Sequence, residues 1–69
     1  MTEVVINGWP RRLPADATLD LVVREAGAPE GGRGVAVAVD GEVVPRAEWP
    51  SRTLAEGQRV EVLTAVQGG

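Results

Sequence analysis

Val35-Ala36-Val37-Ala38-Val39 alternates large and small apolar side chains and runs directly into Asp40-Gly41, a pattern that commits the chain to a sheet. Successive side chains of a strand point to opposite faces, so Val35, Val37 and Val39 share one face, the one that should meet a helix. Asp-Gly suits the positive φ angles of a type I′ turn, which predicts a hairpin into a short strand, Glu42-Val43-Val44, ended by Pro45. Asn7-Gly8 gives the same signal between Glu3-Val4-Val5-Ile6 and Trp9-Pro10-Arg11-Arg12-Leu13. Pro10 has no N–H to give to a ladder, so that second strand belongs at an edge.

One stretch has the helical period instead. Leu19, Val22, Val23 and Ala26 fall at i, i+3, i+4 and i+7 behind Thr18 as N-cap, while Asp20, Arg24 and Glu25 take the wet side. Gly27 and Pro29 end it, which predicts a helix of about ten residues. Gly31-Gly32-Arg33-Gly34 reads as a flexible connection and Arg46 to Arg52 as irregular chain. Ala55-Glu56-Gly57-Gln58 is a turn before the last strand, Arg59 to Val66, in which Val60, Val62, Thr64 and Val66 alternate with Glu61, Leu63 and Ala65. The order strand, strand, helix, strand, strand, strand implies an α+β fold: one mixed sheet with a helix across one face. Setting the last strand parallel to the first would bury both Val-rich strands centrally.

With 69 residues this is one domain, near the size at which a core alone stabilises marginally. It has no Cys, so no disulfide or thiolate zinc site supports it, which fits a reducing cytosol. The core must be Val, Leu, Ile and Ala. Trp9 and Trp49, its only aromatic residues, are expected as partly buried covers. No apolar run approaches the ~20 residues of a membrane span, and Met1-Thr2-Glu3 opens a strand pattern where a leader would be basic and then apolar. A soluble, cytoplasmic protein is therefore expected. Seven Arg, no Lys and ten acidic residues give a net charge of −3, which argues against nucleic acid and anionic membranes and for a basic partner surface.

The residue types that are missing exclude most catalysts. Without His, Cys, Lys or Tyr there is no usual general base, thiol nucleophile or Schiff-base amine, and the single serine, Ser51, has no His to activate it. Without Lys the phosphate-loop motif cannot exist either. Asp16 and Asp20 flank a helix start, where negative charge favours the helix, and Asp40 and Glu42 flank a turn glycine and are expected in solvent. No catalytic residue, metal site or bound cofactor is expected.

Gln67-Gly68-Gly69 closes the sequence directly after an apolar, strand-like run. Glycine has no Cβ, so the backbone approaches foreign atoms closely and accepts the φ/ψ that a narrow channel imposes. Read alone, such an ending is either a thin strip for delivering a carboxylate into another protein's nucleotide site or a frayed and trimmed end. The division is then a domain over 1–66 and a flexible diglycine tail over 67–69, with Gly69 as the reacting group and Gly68 and Gln67 threading into the partner.

Taken together, these features resemble the ubiquitin-like β-grasp sulfur carriers, and most closely the thiamin-pathway sulfur carrier family, over essentially the whole chain. The most specific tract is Val39-Asp40-Gly41-Glu42-Val43-Val44-Pro45-Arg46-Ala47-Glu48-Trp49, followed by Leu54-Ala55-Glu56-Gly57 and Val60-Glu61-Val62, with Asn7-Gly8 and Gly68-Gly69 at the two ends. Ala47 stands where a hydroxyl residue is common in that family, and Gln67 at a variable position. The resemblance implies a carrier rather than an enzyme. A ubiquitin-activating-type enzyme would adenylate the Gly69 carboxylate with ATP, and sulfur drawn from cysteine by a desulfurase would displace AMP to leave a thiocarboxylate. A thiazole synthase would then take the sulfur into the thiazole of thiamin. The alternative within the class is the small subunit of molybdopterin synthase, whose members often place proline before the tail, where this chain has Leu63-Thr64-Ala65-Val66. Outside the class stand a ubiquitin-like protein modifier, which without Lys could not form lysine-linked polymers, and a passive β-grasp interaction domain.

Overall fold

A computed structural model of the chain describes residues 1–27 and 33–64. Strands β1 (Thr2–Ile6) and β2 (Trp9–Leu13) form the first hairpin, helix α1 spans Leu19–Glu25, and β3 (Val35–Val39) and β4 (Glu42–Val43) form the second hairpin. A 3₁₀ helix over Arg46–Ser51 leads back toward β5 (Arg59–Thr64). The five strands make one sheet in the order β2-β1-β5-β3-β4. β5 lies at its centre, parallel to β1 and antiparallel to β3, while Pro10 sits on the edge strand that its missing N–H demands.

Both turns have the backbone their residues favour: φ is +50° and +86° at Asn7 and Gly8, and +50° and +84° at Asp40 and Gly41. The core lies between one sheet face and α1. Val4, Ile6, Leu13, Val37, Val39, Val60 and Val62 come from the strands, and Leu19, Val22 and Val23 from the helix. Val44, Trp49 and Leu54 close its far end. Val35 packs against this cluster with its side chain half-buried.

The helix is shorter than its periodicity suggests, with 7 residues. The chain leaves the helical path at Ala26 (ψ 1°), the Ala26 N–H bonds the Val22 carbonyl at 3.0 Å and the Gly27 N–H bonds that of Arg24 at 3.1 Å. Ala26, expected on the buried stripe, is exposed and takes no part in the core. At the other end Thr18 is the N-cap in position but its side chain makes no capping bond. Thr18 instead forms a β-bridge with Thr53, and the Leu19 N–H donates to the Arg52 carbonyl at 2.8 Å. The chain returning from the 3₁₀ helix thus takes one of the helix's unpaired donors.

The two tryptophans part ways. Trp49 is 3% exposed and its indole N–H donates to the Val44 carbonyl at 3.0 Å. Trp9 is 73% exposed, contrary to its expected place as a cover. It stands opposite Ile6 on the helix side of the sheet, but on an edge strand where only one neighbour flanks it. Arg46–Ser51 is regular rather than irregular: the Glu48 N–H bonds the Pro45 carbonyl at 2.9 Å, and this turn swings Trp49 under the sheet. Val44, expected as the last residue of β4, turns into the core while its N–H bonds the Val37 carbonyl at 2.9 Å. Thr64 is exposed although it shares the face of Val60 and Val62.

Candidate functional site

Gln67, Gly68 and Gly69 lie outside the described residues, as do Ala65 and Val66 of the expected last strand, the Pro29 stop and Gly31-Gly32 of the connection. What the structure describes is the strand that precedes Gly69 and the surface around it. β5 is held on both flanks. Against β3 it pairs along its length, from Val39↔Val60 to Val35↔Thr64. Against β1 the main-chain pairing covers only Val5↔Arg59 and Ile6↔Val60, with the Asn7 N–H reaching the Val60 carbonyl at 2.9 Å.

Two turn residues extend this hold with their side chains. At the start of β5, Asp40 gives its N–H to the Arg59 carbonyl at 2.7 Å, and its carboxylate accepts from the Arg59 N–H at 2.9 Å and from the Gln58 side-chain amide at 3.3 Å. Asp40 is exposed, as expected, yet it is a structural acceptor rather than a free carboxylate. Farther along β5, the Asn7 carboxamide donates to the Val62 carbonyl at 3.1 Å and accepts from the Val62 N–H at 2.8 Å.

The sheet face away from α1 is open. Register places Leu63 opposite Ala36, Glu61 opposite Ala38, and Ala38 opposite Val43, so these side chains lie together on that face. Leu63 is 65% exposed and Val43 75%. With Ala36, Ala38 and Glu61 they line a shallow depression of about 90 Å³. Toward β2 the face carries charge, with Arg12 on β2, Glu3 on β1 and Arg59 and Glu61 on β5, around Val5 and Pro10. An apolar patch bordered by charge, one residue from the end of β5, is the form of a docking surface. The alternation in each strand was visible in the sequence, but this patch becomes one surface only when β4, β3 and β5 lie side by side.

The carboxylates expected at the helix start have structural surroundings. Asp20 pairs with Arg24 at 3.1 Å one turn on, and Asp16 lies exposed before the helix. Arg11 of β2 meets Glu25 at 3.2 Å. Among the described residues no polar or charged residue is buried and no group of acidic side chains could hold a metal ion. No described helix is long and apolar enough to cross a membrane.

A mixed sheet with its last strand central, parallel to the first, and one helix across a single face defines the ubiquitin-like β-grasp class. The crystal structure of a thiamine biosynthesis protein (ThiS) from Geobacter metallireducens has the same fold, with a TM-score of 0.76 at 23% identity over 99% of this chain and 100% of that one. A solution structure of a thiamine biosynthesis protein from the same organism gives the same TM-score and identity, over 99% of this chain and 88% of that one. The ThiS family model matches residues 4–69, and the chain belongs to the ThiS family. No curated protein matches the chain.

Proposed function

We propose that this chain is a sulfur carrier in thiamin biosynthesis, a protein co-substrate and not a catalyst, and that the Gly69 carboxylate is the group that carries the sulfur. The observation that supports this most is the family match, which runs through Gly68 and Gly69. The composition agrees with it: a chain without His, Cys, Lys or Tyr has nothing to activate its own carboxylate. A ubiquitin-activating-type enzyme binds the carrier by the open sheet face and takes Gln67-Gly68-Gly69 into its nucleotide site. One Gly69 oxygen attacks the α-phosphorus of ATP and pyrophosphate leaves, giving an acyl adenylate. A desulfurase moves the sulfur of cysteine onto a partner thiol as a persulfide, whose outer sulfur attacks the acyl carbon while AMP departs with the bridging oxygen, and a thiol reductant then cleaves the resulting acyl disulfide. The product is a thiocarboxylate, whose sulfur a thiazole synthase accepts. ATP is bound by the activating enzyme, and the carrier holds no cofactor of its own.

Intact-mass measurement on the protein from its native host tests this reading. The expected result is a fraction of molecules with one oxygen replaced by sulfur, localised to Gly69 by fragmentation. A chain that stays unmodified in cells making thiamin, and that releases no pyrophosphate when mixed with ATP and the host's activating enzyme, would remove it.

A further inference from the structure

Asn7, the turn residue that follows β1, is the last in that part of the chain to pair with β5 through its main chain, and there the chain turns away at φ +50°. β5 continues to Thr64. Because the Asn7 N–H meets the Val60 carbonyl, the alternate residues Val60, Val62 and Thr64 present their backbone groups to the β1 side. Val62 is therefore the first residue of β5 for which β1 has no backbone left, and its N–H and C=O would both face a gap. The Asn7 carboxamide fills it, with Nδ2 donating to the Val62 carbonyl at 3.1 Å and Oδ1 accepting from its N–H at 2.8 Å. A primary amide is chemically a peptide group, so the side chain acts as one more residue of β1.

The other hairpin shows why the residue is Asn. Asp40 occupies the corresponding turn position with the same φ, and it too braces β5. There the Arg59 carbonyl already accepts from the Asp40 main-chain N–H, so the side chain needs only an acceptor. At Val62 both backbone groups are open, and only a side chain with a donor and an acceptor satisfies both. Turn geometry alone would accept either residue at either place.

We propose that Asn7 is a positioning residue for the Gly69 carboxylate: by pairing with Val62 it fixes the direction in which β5 delivers the residues that follow Thr64. This rests on Gly69 as the sulfur-bearing group. Without the Asn7 bonds β5 beyond Val60 is held by β3 alone, which gives its end more lateral freedom, and a carboxylate displaced by about 1 Å from in-line attack on ATP loses rate steeply. Asn7 is not among the residues lining the Val43 and Leu63 depression, so the loss is expected on the adenylation step rather than on docking there.

Asn7→Gly keeps the left-handed turn and removes both bonds, and Asn7→Asp keeps the turn and the acceptor alone. In the full chain, Asn7→Gly is expected to speed amide exchange at Val62 by on the order of tenfold or more, with Asn7→Asp nearer wild type. In pyrophosphate release with the activating enzyme and ATP, well below the melting temperature, Asn7→Gly lowers kcat roughly tenfold with KM for the carrier within about twofold, and Asn7→Asp falls between. A purely structural role would lower the melting temperature and leave kcat alone. Faster Val62 exchange with unchanged kcat overturns the proposal, as does unchanged exchange, and Asn7→Asp supplies the same two readings if the glycine variant does not fold. If wild type releases no pyrophosphate, the carrier reading itself has failed, while Val62 exchange still reports whether the brace exists.

Discussion

The indole N–H of Trp49 donates a 3.0 Å hydrogen bond to the carbonyl of Val44, five residues earlier, and so ties the 3₁₀ helix to the end of the second hairpin. Trp49 is also the one aromatic side chain in a core otherwise made of aliphatic residues. Its ring and its N–H can be removed separately. Trp49→Phe keeps most of the volume and leaves a buried carbonyl without this donor, at an expected cost of about 1–3 kcal/mol. Trp49→Ala adds a cavity and is expected to cost about 3–5 kcal/mol. Urea unfolding measures both. Equal midpoints for the two variants would mean that the hydrogen bond, and not the ring, supplies the stability.

Gly27 separates backbone strain from crowding. It has φ +84°, and a methyl group built on it would meet nothing within 4 Å. Gly27→Ala is therefore expected to destabilise by about 1–2 kcal/mol through left-handed strain alone. A neutral result in thermal unfolding would show that the end of α1 relaxes to another cap.

Much of the architecture was legible in local chemistry. Asn7-Gly8 and Asp40-Gly41 announce hairpins because few residue pairs accept two positive φ angles, and Pro10 announces an edge because a ladder needs its N–H. The tryptophans were not legible. Pro45 and Pro50 suit irregular chain as well as a 3₁₀ turn, so nothing local says that Trp49 swings into the core. The sequence around Trp9 has no clear period, since Pro10, Arg11 and Arg12 follow it, so its face is known only once β2 is an edge. The braces on β5 were hidden for another reason. Asn7 and Val62 are 55 positions apart, and Asp40 and Arg59 are 19 apart, so turn propensity accounts for both side chains until the strands are assembled. Gly69 stood out by position and by resemblance, whereas the Val43 and Leu63 patch required the strand order.

The path of the C-terminal residues into the activating enzyme makes a steric prediction. Gly68→Val adds a β-branched side chain four positions past Thr64, the last residue of β5, and thermal stability is expected to stay within about 0.5 kcal/mol of wild type. Adenylation should fall roughly a hundredfold, because a thin backbone is what allows close approach to ATP. Deleting Gly69 should abolish sulfur uptake with the fold intact. Normal pyrophosphate release from either variant would show that the reacting group lies elsewhere.

Docking should be separable from chemistry on the open face. Val43 and Leu63 are 75% and 65% exposed and contribute little to the core, so Val43→Asp with Leu63→Asp should change stability by no more than about 1 kcal/mol in total. If the activating enzyme docks on this face as proposed, the same side chains lose their water there, and carboxylates would be buried without partners. The carrier's KM should rise about tenfold or more, equivalent to at least about 1.4 kcal/mol of binding, with kcat at saturation close to wild type. That is the opposite division from the Asn7 variants, which are expected to lower kcat and spare KM. Measured side by side, the two sets distinguish a surface that recognises the partner from a brace that aims the strand. An unchanged KM in the double variant would move recognition off this face and leave the segment beyond Thr64 to carry both chemistry and identity.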